Sequence, residues 1–444
     1  MKNTSLKFFA FIIVLLFIVT SLVSVSANVI VEKNESLLLN EPCNTLEHSF
    51  FDFKMTSLMK MAKFPSLSAC IINNDQVVWS KGYGYYDLEN QKEPNPDTIY
   101  LIASVTKTIV GTALMQLYEQ GHFSLDDDVN SYLPFSLRNP HFPDNPISFR
   151  MLLSHTSSLN TNTRNEYYWM NSSDDPPFSY FPDPYLEEFL IPGGKYYHED
   201  VWSSIYKPGE QAMYANIGFD LISYLVEIIS DEPFLDYCQQ KIFDPLHMDN
   251  TSFNLSTLNI DNVAIPYFFY FGKYYQINEL SFLLGDLTPS EPFWKLRCYP
   301  AGGLYTTIND LSHFFIAHMN GGVYQNTRIL KKETVDLMQQ IQPDNAIGYG
   351  LAWMQYPIGF QYMAMGHGGD IMGVDTWMLY IPSKDIGMIY FANGNPAYGR
   401  NPIMGSIIVQ FLLYSLFKEG GLTSNLFLTM ANNHQYLFMN NDSF

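Results

Sequence analysis

Four places in the chain set a serine hydroxyl three residues ahead of a lysine amine: Ser57/Lys60, Ser104/Lys107, Ser204/Lys207 and Ser415/Lys418. On a helix, residues i and i+3 share a face, so the amine can reach the hydroxyl. A lysine so placed can take the hydroxyl proton and leave a serine nucleophile. The spacing alone does not choose among the four. Ser57 falls inside the first predicted helix and Ser415 inside a late one. Ser104 opens a long helix, where the positive end of the dipole favours an oxyanion and lowers the proton affinity of an amine.

Two further groupings carry chemistry. In Tyr214-Ala215-Asn216 the phenol can pass a proton between nucleophile and leaving group when a cation lowers its pKa, and the amide can hold a substrate carbonyl. The same pattern recurs in Tyr324-Gln325-Asn326, where the polar surroundings suggest a turn. His367-Gly368-Gly369 is the one His-x-Gly in the chain. It is predicted at the end of a strand, where glycines let a substrate approach backbone N–H groups able to bind an oxyanion. The plainer alternative is a turn between strands.

Other polar clusters read as structure. Asp126-Asp127-Asp128 has no glycine or later glutamate to complete a calcium loop, and His198-Glu199-Asp200 reads as a solvated loop in the same way. No metal site or cofactor is expected. No Gly-x-Ser-x-Gly occurs, which excludes the strand-to-helix nucleophile turn of an α/β-hydrolase.

The elements that must position these groups follow from periodicity. An apolar stripe through Phe50, Phe53, Leu58 and Met61 predicts a helix over residues 49–63. Strands 67–72 and 77–85 flank the turn 73–76, and a helix runs from Ser104 to Gln120 before Gly121 stops it. The middle of the chain is helix and loop, with helices over 214–230 and 310–319. Strands return at 363–366, 376–381 and 387–393, and a final helix covers 402–418. Two strands from the start and three from the end predict an α+β sandwich. Its antiparallel five-stranded sheet comes from both chain ends, flanked by helices, with a helical subdomain inserted. The expected division is residues 46–420 as one domain, with a sheet part at 46–100 and 346–420 and a helical part at 101–345. A ligand cleft is expected between the two parts. The Tyr- and Phe-rich segments 160–200 and 262–298 are expected to line it.

The 444 residues include 47% hydrophobic and 16% aromatic residues, ample for a core, and only 15% charged ones. With 24 Lys plus Arg against 44 Asp plus Glu, the net charge is −20. Nucleic acid and anionic lipid surfaces are excluded as partners by repulsion. A small-molecule or peptide substrate is the expected partner.

Lys2 and Lys7, an apolar run from Phe8 to Val19 and the small residues Val25-Ser26-Ala27 have the layout of a secretory signal over residues 1–27. The rival is an uncleaved anchor, since Leu6 to Val25 is just long enough to span a bilayer. With cleavage, no membrane association is expected. Residues 28–45 read as a linker and 421–444 as a tail. A secreted or lumenal location follows, with the lysosome among the compartments this route serves. Asn34, Asn171, Asn250, Asn254 and Asn441 open N-glycosylation sequons. Cys43, Cys70, Cys238 and Cys298 are read as buried thiols or one structural disulfide.

Taken in order, Ser104-x-x-Lys107, Tyr214-x-Asn216 and His367-x-Gly369 resemble the serine β-lactamase/penicillin-binding-protein family. The likeness is to the branch holding class C β-lactamases, D-alanyl-D-alanine carboxypeptidases, D-aminopeptidases and related esterases. Accessory segments agree from about residue 48 to 418, including Leu152-Leu153-Ser154-His155-Thr156-Ser157-Ser158-Leu159 and Pro300-Ala301-Gly302-Gly303-Leu304. The resemblance implies a β-lactamase/transpeptidase-like fold and a serine hydrolase working through an acyl-enzyme. Ser104 would be the nucleophile, Lys107 and Tyr214 would share base and acid work, and Asn216 would hold the acyl amide. Backbone N–H groups of Ser104 and Asp370 would form the oxyanion hole, beside Gly368 and Gly369. His155 would belong to a structural segment. His367 stands where the family has the lysine of Lys-Thr-Gly, with Asp370 beside it. That predicts weak action on β-lactams and a preference for uncharged esters, amides or peptides, with His367 gaining charge below about pH 6.5. The alternative in another class is an inactive binding protein on the same fold, against which stand the intact Ser104, Lys107 and Tyr214.

Overall fold

The computed structural model describes residues 44–160, 185–285, 288–342, 345, 347–359, 361–396 and 402–422. The signal segment, most of the linker, Cys43, Asn34, Asn171, Asn441, most of the segment 160–200 and most of the tail lie outside the described residues. The described chain divides within its first helix, α1 (Asn44–Ala62): one unit ends at Lys54, and the other starts at Met55 and holds everything below. No helix among the described residues is long and apolar enough to cross a membrane.

The sheet is built from both chain ends. Strands β1 (Ser66–Asn73) and β2 (Gln76–Gly84) form a hairpin. Its corner residues Asn74 and Asp75 take positive φ, as a tight hairpin turn of matching twist requires. Helices α2 (Thr106–Glu119), α3 (Asn216–Ser230) and α4 (Ile308–Met319) follow in the insert. The chain then returns through β3 (Met354–Ile358), β4 (Tyr362–Ile371), β5 (Val374–Ile381), β6 (Ile386–Ala392) and α5 (Pro402–Glu419). The order across the sheet is β2-β1-β6-β5-β4-β3, every pair antiparallel, with β1 beside β6 joining the two ends of the chain.

The expected α+β architecture holds, with one correction: the sheet has six strands rather than five. The added strand, β3, lies at the edge and carries Pro357. A proline cannot donate to a ladder and is tolerated at an edge, so the sequence there does not read as strand. A second difference is that β4 runs through His367-Gly368-Gly369-Asp370 to Ile371 instead of ending before the glycines.

Alternation divides the sheet into two faces. One presents Cys70, Ile72, Met378, Ile389 and Phe391 to the main core, where α4 packs on β1 and β6. The other carries Ala69, Ile71, Trp377 and Tyr390 and is covered by α5, whose Gln410 amide bonds the Tyr356 hydroxyl. Helices α2 and α3 pack on one another in the insert, each also touching the turn Tyr299–Gly302.

Candidate active site

The chain around Ser104 turns before it becomes α-helix. Ala103–Val105 form one 3₁₀ turn and α2 begins at Thr106, so Ser104 stands just ahead of the helix and Lys107 in its first turn. Ser104 is half-buried, whereas Lys107 is fully buried. The Lys107 Nζ donates to Ser104 Oγ at 3.0 Å and to the Ala301 carbonyl at 2.5 Å. It also lies 4.9 Å from the centre of the Tyr214 ring and 5.6 Å from that of Phe219. The Ser104 hydroxyl and the Ala301 carbonyl fix this buried amine beside the serine.

The other three pairs have no such setting. Lys60, Lys207 and Lys418 are exposed, and Ser415 Oγ donates back to the Phe411 carbonyl one turn earlier. Tyr324 and Asn326 lie in a two-stranded hairpin whose Gln325 has φ 51°, a turn as expected.

Tyr214 lies just outside α3, which starts at Asn216 rather than at the tyrosine. The segment leading to it docks on the turn after Leu153: Met213 N donates to the His155 carbonyl at 2.7 Å and Ala215 N donates to His155 Nδ1 at 3.1 Å. The His155 ring lies under Tyr214, centroids 4.2 Å apart. His155 is buried at φ 60°, and burial, with Lys107 and His367 nearby, holds its pKa well below the ordinary value. A neutral ring accepting a backbone N–H positions the Tyr214-Ala215-Asn216 segment.

The β4 strand brings the third grouping. Its residues His367 and Gly369 face Ser104, and Gly368 packs against the Trp377 ring on the other face. A Cβ on Gly369 would stand 2.3 Å from the Ile102 carbonyl and 2.9 Å from Ser104 N, so only glycine allows the strand this close to the nucleophile turn. The Thr376 hydroxyl lies 2.8 Å from the Ile102 carbonyl and 3.1 Å from that of Gly369, fastening turn and strand together.

Two expectations about this strand change. His367 is buried, and burial first, then Lys107, push its pKa down to about 3, with the Gly368 carbonyl opposing. Its Nδ1–H donates to the Gly368 carbonyl at 2.5 Å and its Nε2 accepts the Tyr349 hydroxyl at 2.6 Å, so it stays neutral where an exposed histidine would charge. Asp370 pairs with Asp375 across the hairpin, which puts its side chain on the face opposite Gly369, not beside a ligand at Ser104. That side chain is exposed but crowded by protein atoms. Desolvation raises its pKa, against an Asn395 hydrogen bond and the Lys107 charge.

The remaining sequence clusters are structural. Asp126 pairs with Arg150 at 2.7 Å, Asp128 with Arg138, and Asp127 accepts from Ser124 N and the Tyr132 hydroxyl. His198 and Asp200 pair at 2.5 Å in a cap. Asn250 is exposed, while Asn254 is half-buried and caps Ser256 N. Cys70, Cys238 and Cys298 are buried. The aromatic hairpin 267–276 borders the end of β4: Pro266 and Tyr267 press on Gly373, and Trp294 Nε1 donates to the Met372 carbonyl. Tyr349, Thr376 and Asp220 escaped the sequence reading. Single residues without a spacing partner leave no pattern to find.

The Beta-lactamase family model matches residues 51–406, and the chain belongs to that family. Protein flp of Staphylococcus aureus strain N315 is 25% identical over 344 residues, 77% of this chain and 62% of the relative. The chain thus spans about three-fifths of that relative's length. The putative penicillin-binding protein PbpX of Bacillus subtilis strain 168 is 25% identical over 305 residues, 68% of this chain and 65% of that one. The octameric penicillin-binding protein homologue from Pyrococcus abyssi superposes with a TM-score of 0.66 at 26% identity, covering 83% of this chain and 77% of its own. D-amino acid amidase from Ochrobactrum anthropi SV3 shares the fold with a TM-score of 0.64 at 20% identity, covering 83% and 99%.

Proposed function

We propose that the protein is a serine hydrolase that acts through an acyl-enzyme on an ester, amide or peptide, of the esterase or peptidase type. The observation that carries this reading is the buried Lys107 amine 3.0 Å from the half-exposed Ser104 hydroxyl. In the proposed sequence the Ser104 Oγ–H proton passes to Lys107 or Tyr214 while Oγ bonds to the substrate carbonyl carbon. Ser104 and Asp370 N–H groups hold the resulting oxyanion, and Asn216 holds the acyl amide. The proton then goes to the leaving group as its bond to carbon breaks. Water attacks the acyl-enzyme and regenerates Ser104 by the same steps reversed.

A neutral His367 offers no cation to a substrate carboxylate, which favours uncharged esters and amides over β-lactams at any pH above about 3. The N-terminal sequence supports entry into the secretory pathway. The test is a panel of p-nitrophenyl esters, D-amino acid amides and a chromogenic cephalosporin. Esters or amides should be turned over fastest, and Ser104→Ala should abolish the activity. Faster cephalosporin hydrolysis would overturn the substrate preference, and activity surviving in Ser104→Ala would overturn the mechanism.

A further inference from the structure

Tyr349 meets three parts of the site at once. It is buried in the loop ahead of β3, and its main chain is fixed on both sides. Its N–H donates to Asn345 Oδ1 at 3.2 Å, its carbonyl accepts Gln342 N at 3.1 Å, and the Asn345 amide in turn donates to the Ser154 carbonyl at 2.9 Å. The turn after Leu153 therefore carries both His155 and an anchor for Tyr349. The Tyr349 ring stands steeply tilted to the His155 ring, centroids 4.6 Å apart at 66°, and to the Tyr214 ring at 6.4 Å and 79°. Its hydroxyl reaches His367 Nε2 on β4 at 2.6 Å. With both histidines neutral, each ring proton has one place to sit. A carbonyl only accepts, so the bond to the Gly368 carbonyl puts the His367 proton on Nδ1 and leaves Nε2 to accept the Tyr349 hydroxyl. A backbone N–H only donates, so Ala215 N puts the His155 proton on Nε2. That nitrogen has no hydrogen-bond partner among the described residues.

We propose that Tyr349 is a positioning residue that joins the Tyr214 segment to β4, its hydroxyl setting the tautomer and orientation of His367 while its ring holds His155 in place. Contacts then run without a gap from Ala215 through His155, Tyr349 and His367 to Gly368. At one end of this row stands Tyr214, at the other the strand whose Asp370 N–H faces the developing oxyanion in the proposed reaction. The inference rests on that reading of Tyr214 and Asp370 in acyl transfer at Ser104. The two groups act on one substrate carbonyl, so their separation has to be held, and a misplacement of about 1 Å costs about 10² in rate. Neither Tyr214 nor β4 touches the other through its backbone in this row; the buried rings between them carry the spacing. Fully paired polar groups in a dry core hold a single arrangement, and removal of one member loosens its neighbours.

The experiment pairs histidine ¹⁵N spectra of the free protein with kinetics on an uncharged ester, in wild type, Tyr349→Phe and Tyr349→Leu, with Ser104→Ala as the control. His155→Gln and His367→Gln assign the two resonance sets. The wild type should show His367 protonated at Nδ1 and His155 at Nε2. Tyr349→Phe keeps the ring and loses the hydroxyl: the His367 Nε2 signal should move downfield as its donor is removed, with the His155 tautomer unchanged. Its kcat should fall about tenfold, the scale of one hydrogen bond, with KM near the wild-type value. Tyr349→Leu, which also loses the ring, should fall further, toward about 10². A lower melting temperature with kcat and the His367 signal unchanged would mark a merely structural role and overturn the proposal. So would a wild-type His367 protonated at Nε2, a result that needs no variant to fold. Activity in Ser104→Ala overturns the acyl-enzyme reading instead, and the spectra, recorded without substrate, still decide whether Tyr349 sets the His367 tautomer.

Discussion

Ser104/Lys107 and Ser415/Lys418 share a spacing, and both lie on helices near the sheet, yet they behave as opposites. In the first pair the lysine is buried and the serine half-buried, and the amine donates to the hydroxyl at 3.0 Å. In the second the serine is buried and donates to its own helix at Phe411, while the lysine is exposed in the last turn of α5. An i, i+3 spacing makes contact possible; burial of the amine and a preceding 3₁₀ turn make it happen. The backbone also differs. Around Ser104 the Ile102 carbonyl and Ser104 N meet a glycine strand, and nothing of that kind stands beside Ser415 among the described residues.

The comparison breaks most visibly at the lysines. Lys107→Ala should lower kcat by about 10² or more, since positioned proton transfer is worth that much. Lys418→Ala should leave kcat unchanged in the same assay. Gly369→Ala comes next. Its Cβ would clash with the Ile102 carbonyl and crowd Ser104 N, pushing apart the two N–H groups of the proposed oxyanion hole. A loss of about 10² in kcat is expected, together with a lower melting temperature, because the backbone must shift to admit the Cβ.

Thr376→Val removes the hydroxyl that fastens the Ile102 carbonyl to β4 and should cost about tenfold in kcat/KM, near the 1.4 kcal/mol of one hydrogen bond. The smallest effect is on stability, at Asp375 on the covered face. Burial raises its pKa to about 7, against the Tyr390 hydroxyl and with the Asp370 charge. A raised acid binds its proton more tightly folded than unfolded, so the wild type loses stability as pH climbs from about 4 to about 7. Asp375→Asn escapes that loss. Its melting temperature relative to wild type should rise across that window and level off above it, as calorimetry at a series of pH values would show.

Much of this site was legible because its chemistry comes in short patterns set by backbone geometry. Ser104-x-x-Lys107 needs a helix start, and Tyr214-x-Asn216 sits where a helix begins. What escaped was set by distant contacts. Two glycines after His367 read as a turn, yet they lie mid-strand, because Gly369 must let the Ser104 turn approach and Gly368 must fit against Trp377. Asp370 read as a neighbour of the ligand, and only its register with Asp375 turned it to the other face. His367 read as a group that charges in mild acid, and Tyr349, 18 residues away, helps to hold it neutral in a buried site. The edge strand β3 was hidden by Pro357.

The most direct test is to treat the wild-type protein with a fluorophosphonate probe and map the modified serine by peptide mass spectrometry. A single adduct on Ser104, absent from Ser104→Ala and unchanged in Ser57→Ala, Ser204→Ala and Ser415→Ala, is the predicted result. An adduct on any other serine, or one that persists in Ser104→Ala, would contradict the account.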